Sequence, residues 1–424
     1  MTFKQKKVRP QQPRFTPEQV LRLVGVIIIA GLLALGGLGL GSGNQNGVQP
    51  TPGPGTGTPF VFPAVPAGGT VLVADRTYFH GTGLYSLPHF AGFDLPTADA
   101  EEIVDATASG GTPRVNRVGA TFINSAEFSV LHTFVEKNED RLVKQVGDLS
   151  GYYDKDNLNQ AWVNFTGGYK ETNRRMIGDR YVIDFELYLG GNTYLARQTA
   201  QLTPENWIKV TRLVVPNNNP GLLDNLEAET WKGFTFYSAL LNAPVAWKAL
   251  ADPAAGYIVR YPFTWEKTAS QPGEPGIATG VINTWPLTLT TRAEPGKSAV
   301  TEQDARAWVA ALRPASTVYN VQPETRGEAK GWTIAYNDPD PDGNSRSAVV
   351  TLLNGANGAL YSANYLLTTR GLDLLRAANL PPELAQSRST FTLLNTGGFV
   401  PTRTPFPTFT PVPATPTSAA TQAQ

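Results

Sequence analysis

YVIDFELYLGGNTYLARQTAQL, Tyr181 to Leu202, decides the class of fold. Tyr181, Ile183, Phe185, Leu187 and Leu189 alternate with Val182, Asp184, Glu186 and Tyr188, and a period of two marks a strand with one buried face. Gly190-Gly191-Asn192 turns the chain into a second strand, and WIKVTRLVV (Trp207–Val215) follows after Pro204 as a third. Adjacent strands joined this tightly form an antiparallel meander. Upstream, EFSVLHTFVE (Glu127–Glu136) reads as another strand. TADAEEIVDA (Thr97–Ala106), with acids in its first turn, reads as a helix start. These elements place a first α+β domain at residues 70–216, closed by PNNNP (Pro216–Pro220), with 217–250 as a connector.

A second α+β domain is expected over residues 251–395. GYIVRYPFTW (Gly256–Trp265) and WPLTLTTRA (Trp285–Ala293) are strands. TEQDARAWVAAL (Thr301–Leu312) is a helix, with Thr301 and Asp304 placed as a capping box and Ala305, Trp308, Val309 and Leu312 on one apolar face. GWTIAY, SAVVTLL and ALYSANYLL are three further strands, and LDLLRAANLPPELAQSRSTF (Leu372–Phe391) is a closing helical stretch broken at Pro381-Pro382. Strand, strand, helix, meander, helix gives helices packed on an antiparallel sheet.

Tyr257, Val259, Tyr261-Pro262 and Trp265, with the Leu360–Leu367 strand and the terminal SRSTF segment, resemble the PsbP-like superfamily over roughly residues 253–395. That superfamily is named for an extrinsic subunit of photosystem II. The resemblance implies an antiparallel sheet flanked by helices and a non-enzymatic, accessory role, and it transfers no catalytic residue. The first domain ends in a similar meander, which admits a diverged relative there.

Outside the two domains, Leu23 to Leu40 is a run of 18 uncharged, mostly apolar residues, about 27 Å long as a helix and close to the thickness of a bilayer core. Lys4, Lys6, Lys7, Arg9, Arg14 and Arg22 precede it, offset by Glu18. Basic flanks stay inside, so residues 1–22 form a cytoplasmic arm and 23–40 a transmembrane helix anchored in the lipid bilayer of a bacterial cytoplasmic membrane. The bulk of the chain is then extracytoplasmic. The competing reading is a signal peptide cut after Gly39-Leu40-Gly41, but the run exceeds the usual apolar core of such signals. Residues 41–69 form a Pro/Gly-rich linker and 396–424 a disordered Pro/Thr-rich tail.

Lys+Arg and Asp+Glu number 35 each, so no basic stripe for nucleic acid stands out. The absence of cysteine excludes disulfides, thiolate metal sites and cysteine nucleophiles. DPDPDGN (Asp338–Asn344) matches the first half of a calcium loop, with Asp338, Asp340, Asp342 and Asn344 as candidate ligands. The twelfth position is Val349 rather than Glu, and the plain hairpin turn is preferred. Pro295-Gly296-Lys297-Ser298 ends like a phosphate-binding loop, but Thr291 stands where the first glycine is required. His80 and His89 share an aromatic stretch without an evident third ligand. Asp184 and Glu186 form either a carboxylate pair or solvated partners of Arg197, Lys209 or Arg212. Trp265 and Trp308 read as core packing rather than sugar platforms. The leading expectation is a membrane-anchored binding or assembly module without catalytic activity or cofactor, engaging an unidentified protein partner in the membrane or envelope. Its rivals are a carboxylate-dependent hydrolase and a calcium-dependent surface adhesion module.

Overall fold

Tyr181 faces Ala200 and Leu189 faces Asn192, so the two-residue turn between these strands is Gly190-Gly191, both with positive φ. Only glycine takes that backbone twice without strain. The computed structural model containing this hairpin describes residues 72–96, 101–106, 114–138, 141–268, 274–339, 345–369, 371–376 and 378–394. The expected transmembrane helix, the linker, the tail, and Asp340, Asp342 and Asn344 lie outside them. Among the described residues no helix is long and apolar enough to cross a membrane.

The first half runs β1 (Ala74–Phe79), β2 (Tyr85–Phe90), β3 (Glu101–Ala106), β4 (Arg114–Asn124), β5 (Ser129–Lys137), α1 (Leu149–Tyr152), α2 (Lys155–Ala161), β6 (Tyr169–Ile177), β7 (Arg180–Leu189), β8 (Asn192–Leu202), β9 (Trp207–Pro216), α3 (Pro220–Gly233) and β10 (Thr235–Phe236). The second runs β11 (Lys248–Asp252), β12 (Tyr257–Tyr261), β13 (Glu266–Thr268), β14 (Gly276–Ile282), β15 (Trp285–Pro295), α4 (Glu302–Leu312), β16 (Thr317–Arg326), β17 (Ala329–Pro339), β18 (Ser345–Asn354), β19 (Ala359–Leu367), α5 (Pro382–Ser389) and β20 (Thr392–Leu393).

The two halves share one topology. The seven-stranded sheets have orders β3-β4-β5-β9-β8-β7-β6 and β13-β14-β15-β19-β18-β17-β16, antiparallel throughout. Each sheet is preceded by a hairpin, β1–β2 or β11–β12, and followed by a helix whose chain returns to pair with that hairpin through β10 or β20. Local detail repeats as well. Phe234-Thr235-Phe236 and Phe391-Thr392-Leu393 carry the closing strands, which set Phe236 against Tyr85 and Leu393 against Tyr257. The β6–β7 and β16–β17 turns are Gly178-Asp179 and Gly327-Glu328, each opening on a positive-φ glycine.

Each sheet is covered on both faces. In the first unit Ile183, Phe185 and Val210 pack under Leu149, Leu158 and Trp162 from the α1–α2 region. The opposite face, with Val118, Phe122 and Leu213, packs on Leu87 and Phe90 of the hairpin and on Leu222, Leu223 and Leu226 of α3. In the second unit α4 lays Ala305 and Val309 on Ile334, Val350 and Leu352, while Tyr257, Val259 and Leu384 cover the other face. Burying each large side chain contributes about 1.5–3 kcal/mol.

The hairpins also join the units. Ala249 N donates to the Gly81 carbonyl at 2.8 Å. Gly83 has φ +72° and a Cβ there would lie 2.5 Å from Ile258 Cδ1, so this contact requires glycine. Arg260 is fully buried. It donates to the carbonyls of Thr82, Leu240, Ala243, Pro244, Val245 and Trp247 at 2.7–3.2 Å.

Three expectations are corrected. Glu101–Ala106 is a strand paired with β4, not a helix start; pairing with the sheet overrides the acidic first-turn signal. The stretch 217–250 is not a bare connector, because Asn219 caps α3 by accepting from Leu222 N at 3.3 Å and Pro220 occupies the first turn. Within the closing helical stretch the described helix begins at Pro382, with turns at 374–375 and 378–379.

Candidate functional site

Lys209 lies on β9 between the buried Ile208 and Val210. Its Nζ donates to the Phe234 carbonyl at 2.9 Å and stands 5.0 Å from the ring centres of both Trp231 and Phe234. Trp231 is fixed by donating from Nε1 to Thr211 Oγ1 at 3.0 Å. Beside this ammonium, the β6–β7 turn (Asp179), the β8–β9 turn (Thr203–Glu205) and the segment after α3 (Phe234–Ser238) border an open cleft of 690 Å³. Burial, aided by Arg180, lowers Lys209 to about 8 against the pull of Asp179. A cation, two carboxylates and two aromatic walls around one cleft suit a contact surface that reads charge and shape. No local motif announces it, since Lys209 sits in an ordinary strand pattern.

The carboxylates singled out in the sequence do not converge. Asp184 faces Arg197 across β7–β8, but the pair is buried rather than solvated. Arg197 Nε donates to Asp184 at 2.6 Å, Arg175 binds the other oxygen, and Arg197 Nη1 reaches Asp224 at 2.8 Å and Glu227 at 2.7 Å on α3. Burial would lower Arg197, yet Glu227 and Asp184 outweigh it and hold the guanidinium above its ordinary value. Glu186 instead accepts from Tyr188 at 2.8 Å and from Lys170 at 3.4 Å. The two acids therefore serve separate networks.

Asp338 is the one described member of the candidate calcium loop. It is buried, with Oδ2 accepting from Arg346 at 2.9 Å and lying 3.3 Å from Arg313 Nε. His80 bonds Thr82 through Nδ1 at 2.8 Å and the Gly119 carbonyl through Nε2 at 3.0 Å, whereas His89 meets Asp75 at 2.6 Å. No group of three potential metal ligands occurs among the described residues. Gly296 turns the chain after β15, and Lys297 pairs with Glu294 at 2.6 Å. Trp265 stacks on Tyr261 in the core, and Trp308 donates to Glu294 at 2.6 Å.

No protein-family model matches the sequence, and neither does any curated protein. Solved structures are similar in a loose way. Cyanobacterial PsbP (CyanoP) from Synechocystis sp. PCC 6803 has 14% identity and a TM-score of 0.26, covering 35% of this chain and 92% of its own. The Ran-binding protein Mog1p of Saccharomyces cerevisiae has 12% identity and a TM-score of 0.26, covering 38% and 94%. The T6SS immunity protein TplEi of Pseudomonas aeruginosa has 9% identity and a TM-score of 0.24, covering 75% and 96%.

Proposed function

We propose that this chain is a membrane-anchored extracytoplasmic binding or assembly module, with a PsbP-like second unit and a first unit of the same strand order, which present surfaces rather than catalytic groups. The observation that carries this reading is the open, mixed-charge cleft beside Lys209. The buried acids support it in a second way. Asp184, Glu227 and Asp338 are each engaged by a guanidinium, and a carboxylate so held is a poor general base or nucleophile. A calcium-dependent adhesion role would require Asp338 to leave Arg346 and Arg313. The apolar run at 23–40 and its basic flank supply the membrane anchor.

The test uses the full chain in its native membrane. A photo-cross-linking residue at Glu205, on the cleft rim, is expected to yield a discrete adduct with one partner, while the same probe at the exposed Val281 yields none. Equal labelling at both positions, or none at either, would sink the reading. Alkaline carbonate washing is expected to leave the chain in the pellet, and a mature N-terminus at Ser42 would convert the anchor into a cleaved signal.

A further inference from the structure

The layer between the first sheet and α1–α2 contains three buried donors with nothing to donate to. Tyr153, Trp162 and Gln198 are each no more than 2% exposed, and the Tyr153 hydroxyl, Trp162 Nε1 and Gln198 Nε2 have no hydrogen-bond partner. An unsatisfied buried polar group costs about 1–3 kcal/mol, so three together need an explanation.

Their surroundings supply one. Gln198 Oε1 accepts from Arg212 Nε at 2.8 Å, which fixes the amide so that Nε2 must be the free end. The same guanidinium lies 5.9 Å from the Trp162 ring and 4.9 Å from the Phe134 ring. Arg117 stands 4.7 Å from that Phe134 ring. Tyr153 feels the charges of Glu136, Arg212 and Arg117. Glu136, the carboxylate of this group, accepts from Tyr152 at 3.2 Å. The cluster thus gathers two guanidiniums, one carboxylate and three idle donors around one buried layer.

The second unit provides an internal control. Under its own helix, Trp308 donates to Glu294 at 2.6 Å and Tyr336 to Asn364 at 3.1 Å. Tyr336 there also feels two guanidiniums and one carboxylate, Arg313, Arg346 and Asp338, so the charges match those of the first unit and the difference lies in the tyrosine and tryptophan donors. The tyrosine and tryptophan donors of this layer are therefore satisfied in the second unit and without acceptors in the first.

We propose that the first unit holds a small oxyanion between Arg212, Tyr153, Trp162 and Gln198. Such an ion accepts from all three donors and is attracted by the Arg212 guanidinium. A water molecule must also donate, and here it would meet mainly donors. Arg117, Glu136 and Tyr152 are half-buried and form the way in.

Titrating the detergent-solubilised full chain with inorganic phosphate, and separately with sulfate, tests this at constant ionic strength set by chloride. Saturable binding heat is expected, with a melting midpoint that rises with phosphate by mass action. Tyr153→Phe, which removes an unpartnered hydroxyl, is expected to leave the phosphate-free protein as stable as before or more so. It should weaken phosphate binding about tenfold or more, since a bond to a charged group is lost. Trp162→Phe is the second probe and should weaken binding in the same direction. Lys209→Met, in the separate cleft, should leave the affinity unchanged. Absence of saturable binding for both ions would overturn the proposal and leave the layer to water. Binding that persists unchanged in both Tyr153→Phe and Trp162→Phe would also overturn it, by placing the ion elsewhere.

Discussion

The two units are built to one plan and filled in two ways. Each anchors its hairpin through a tyrosine hydroxyl on a buried threonine of its third sheet strand. Tyr85 reaches Thr133 Oγ1 at 3.2 Å, and Tyr257 meets Thr291 Oγ1 at 3.1 Å. The first unit then closes with a 14-residue helix that brings Asp224 and Glu227 onto Arg197. The second closes with an 8-residue helix that offers a hydroxyl, Ser387 Oγ, to Tyr365 at 2.9 Å and to the Arg260 carbonyl at 2.6 Å. Strand order and hairpin anchorage are thus set by backbone pairing and a few fixed contacts. The polar content of the layers is free to differ, provided each buried charge finds a partner.

The sharpest way to break the comparison is to separate the units. Arg260→Met leaves six carbonyls without this donor, at a cost of about 1–3 kcal/mol for each one left unsatisfied. Urea unfolding should resolve into two transitions, because the largest set of hydrogen bonds between β12 and the segments of the first unit and connector is gone. The contacts of Gly81 with Ala249 and of Gly83 with Ile258 remain. One transition at an unchanged midpoint would show the units to be coupled by something else. Next in size is the closing helix. Leu223→Ala in α3 and Leu384→Ala in α5, both fully buried, should each cost about 3 kcal/mol. A negligible loss for Leu223→Ala would return α3 to the status of a connector.

A smaller effect tests the repeated hairpin anchor. Tyr85→Phe, which takes a hydroxyl from Thr133 O and Oγ1, and Tyr257→Phe, which takes one from Thr291 Oγ1, should each lose about 1 kcal/mol, with little change elsewhere. Strongly unequal losses in thermal unfolding would argue that the contact is equivalent in geometry alone. The smallest effect concerns Lys209, whose counterparts in the second unit, as cations lowered by burial, are Arg260 and Arg388. Its folded value of about 8 lies below the ordinary 10.5, so the unfolded chain holds more protons between those values. Stability should therefore rise as pH goes from about 8 to 10.5, with the penalty fully present below 8. Lys209→Met should flatten that part of the stability–pH curve; an unchanged slope would assign the rise to another group.

Much of this plan can be read along the chain. Alternation at Tyr181–Leu189, the capping box at Thr301 and Asp304, and the strand Ala359–Leu367 all appear where residue pattern places them. What failed depends on distant neighbours. The Glu101–Ala106 strand exists because Arg114–Asn124 lies beside it. The solvated reading of Asp184 fails because α3, inside the stretch expected as a connector, covers it. There the signal was present, as Asn219-Pro220 is a sound helix start. Thr317–Arg326 was obscured by Pro323, which an edge strand tolerates. The Lys209 cleft and the acceptor-poor layer under α1–α2 are assembled from strands and turns far apart in sequence, so no spacing rule reaches them.

The closing strands have a mechanical consequence. β20 is held to β12 by two residue pairs, Tyr257 with Leu393 and Ile258 with Thr392, whereas β19 lies between long ladders on both sides. Tension applied through the chain beyond Leu394 therefore falls first on the shortest ladder of the second unit. That ladder acts as a fuse, releasing a short length of chain before the seven-stranded sheet bears load. In a single-molecule pulling record it should appear as a small, early, reversible extension, and Thr392→Pro should erase it while leaving the main rupture force in place.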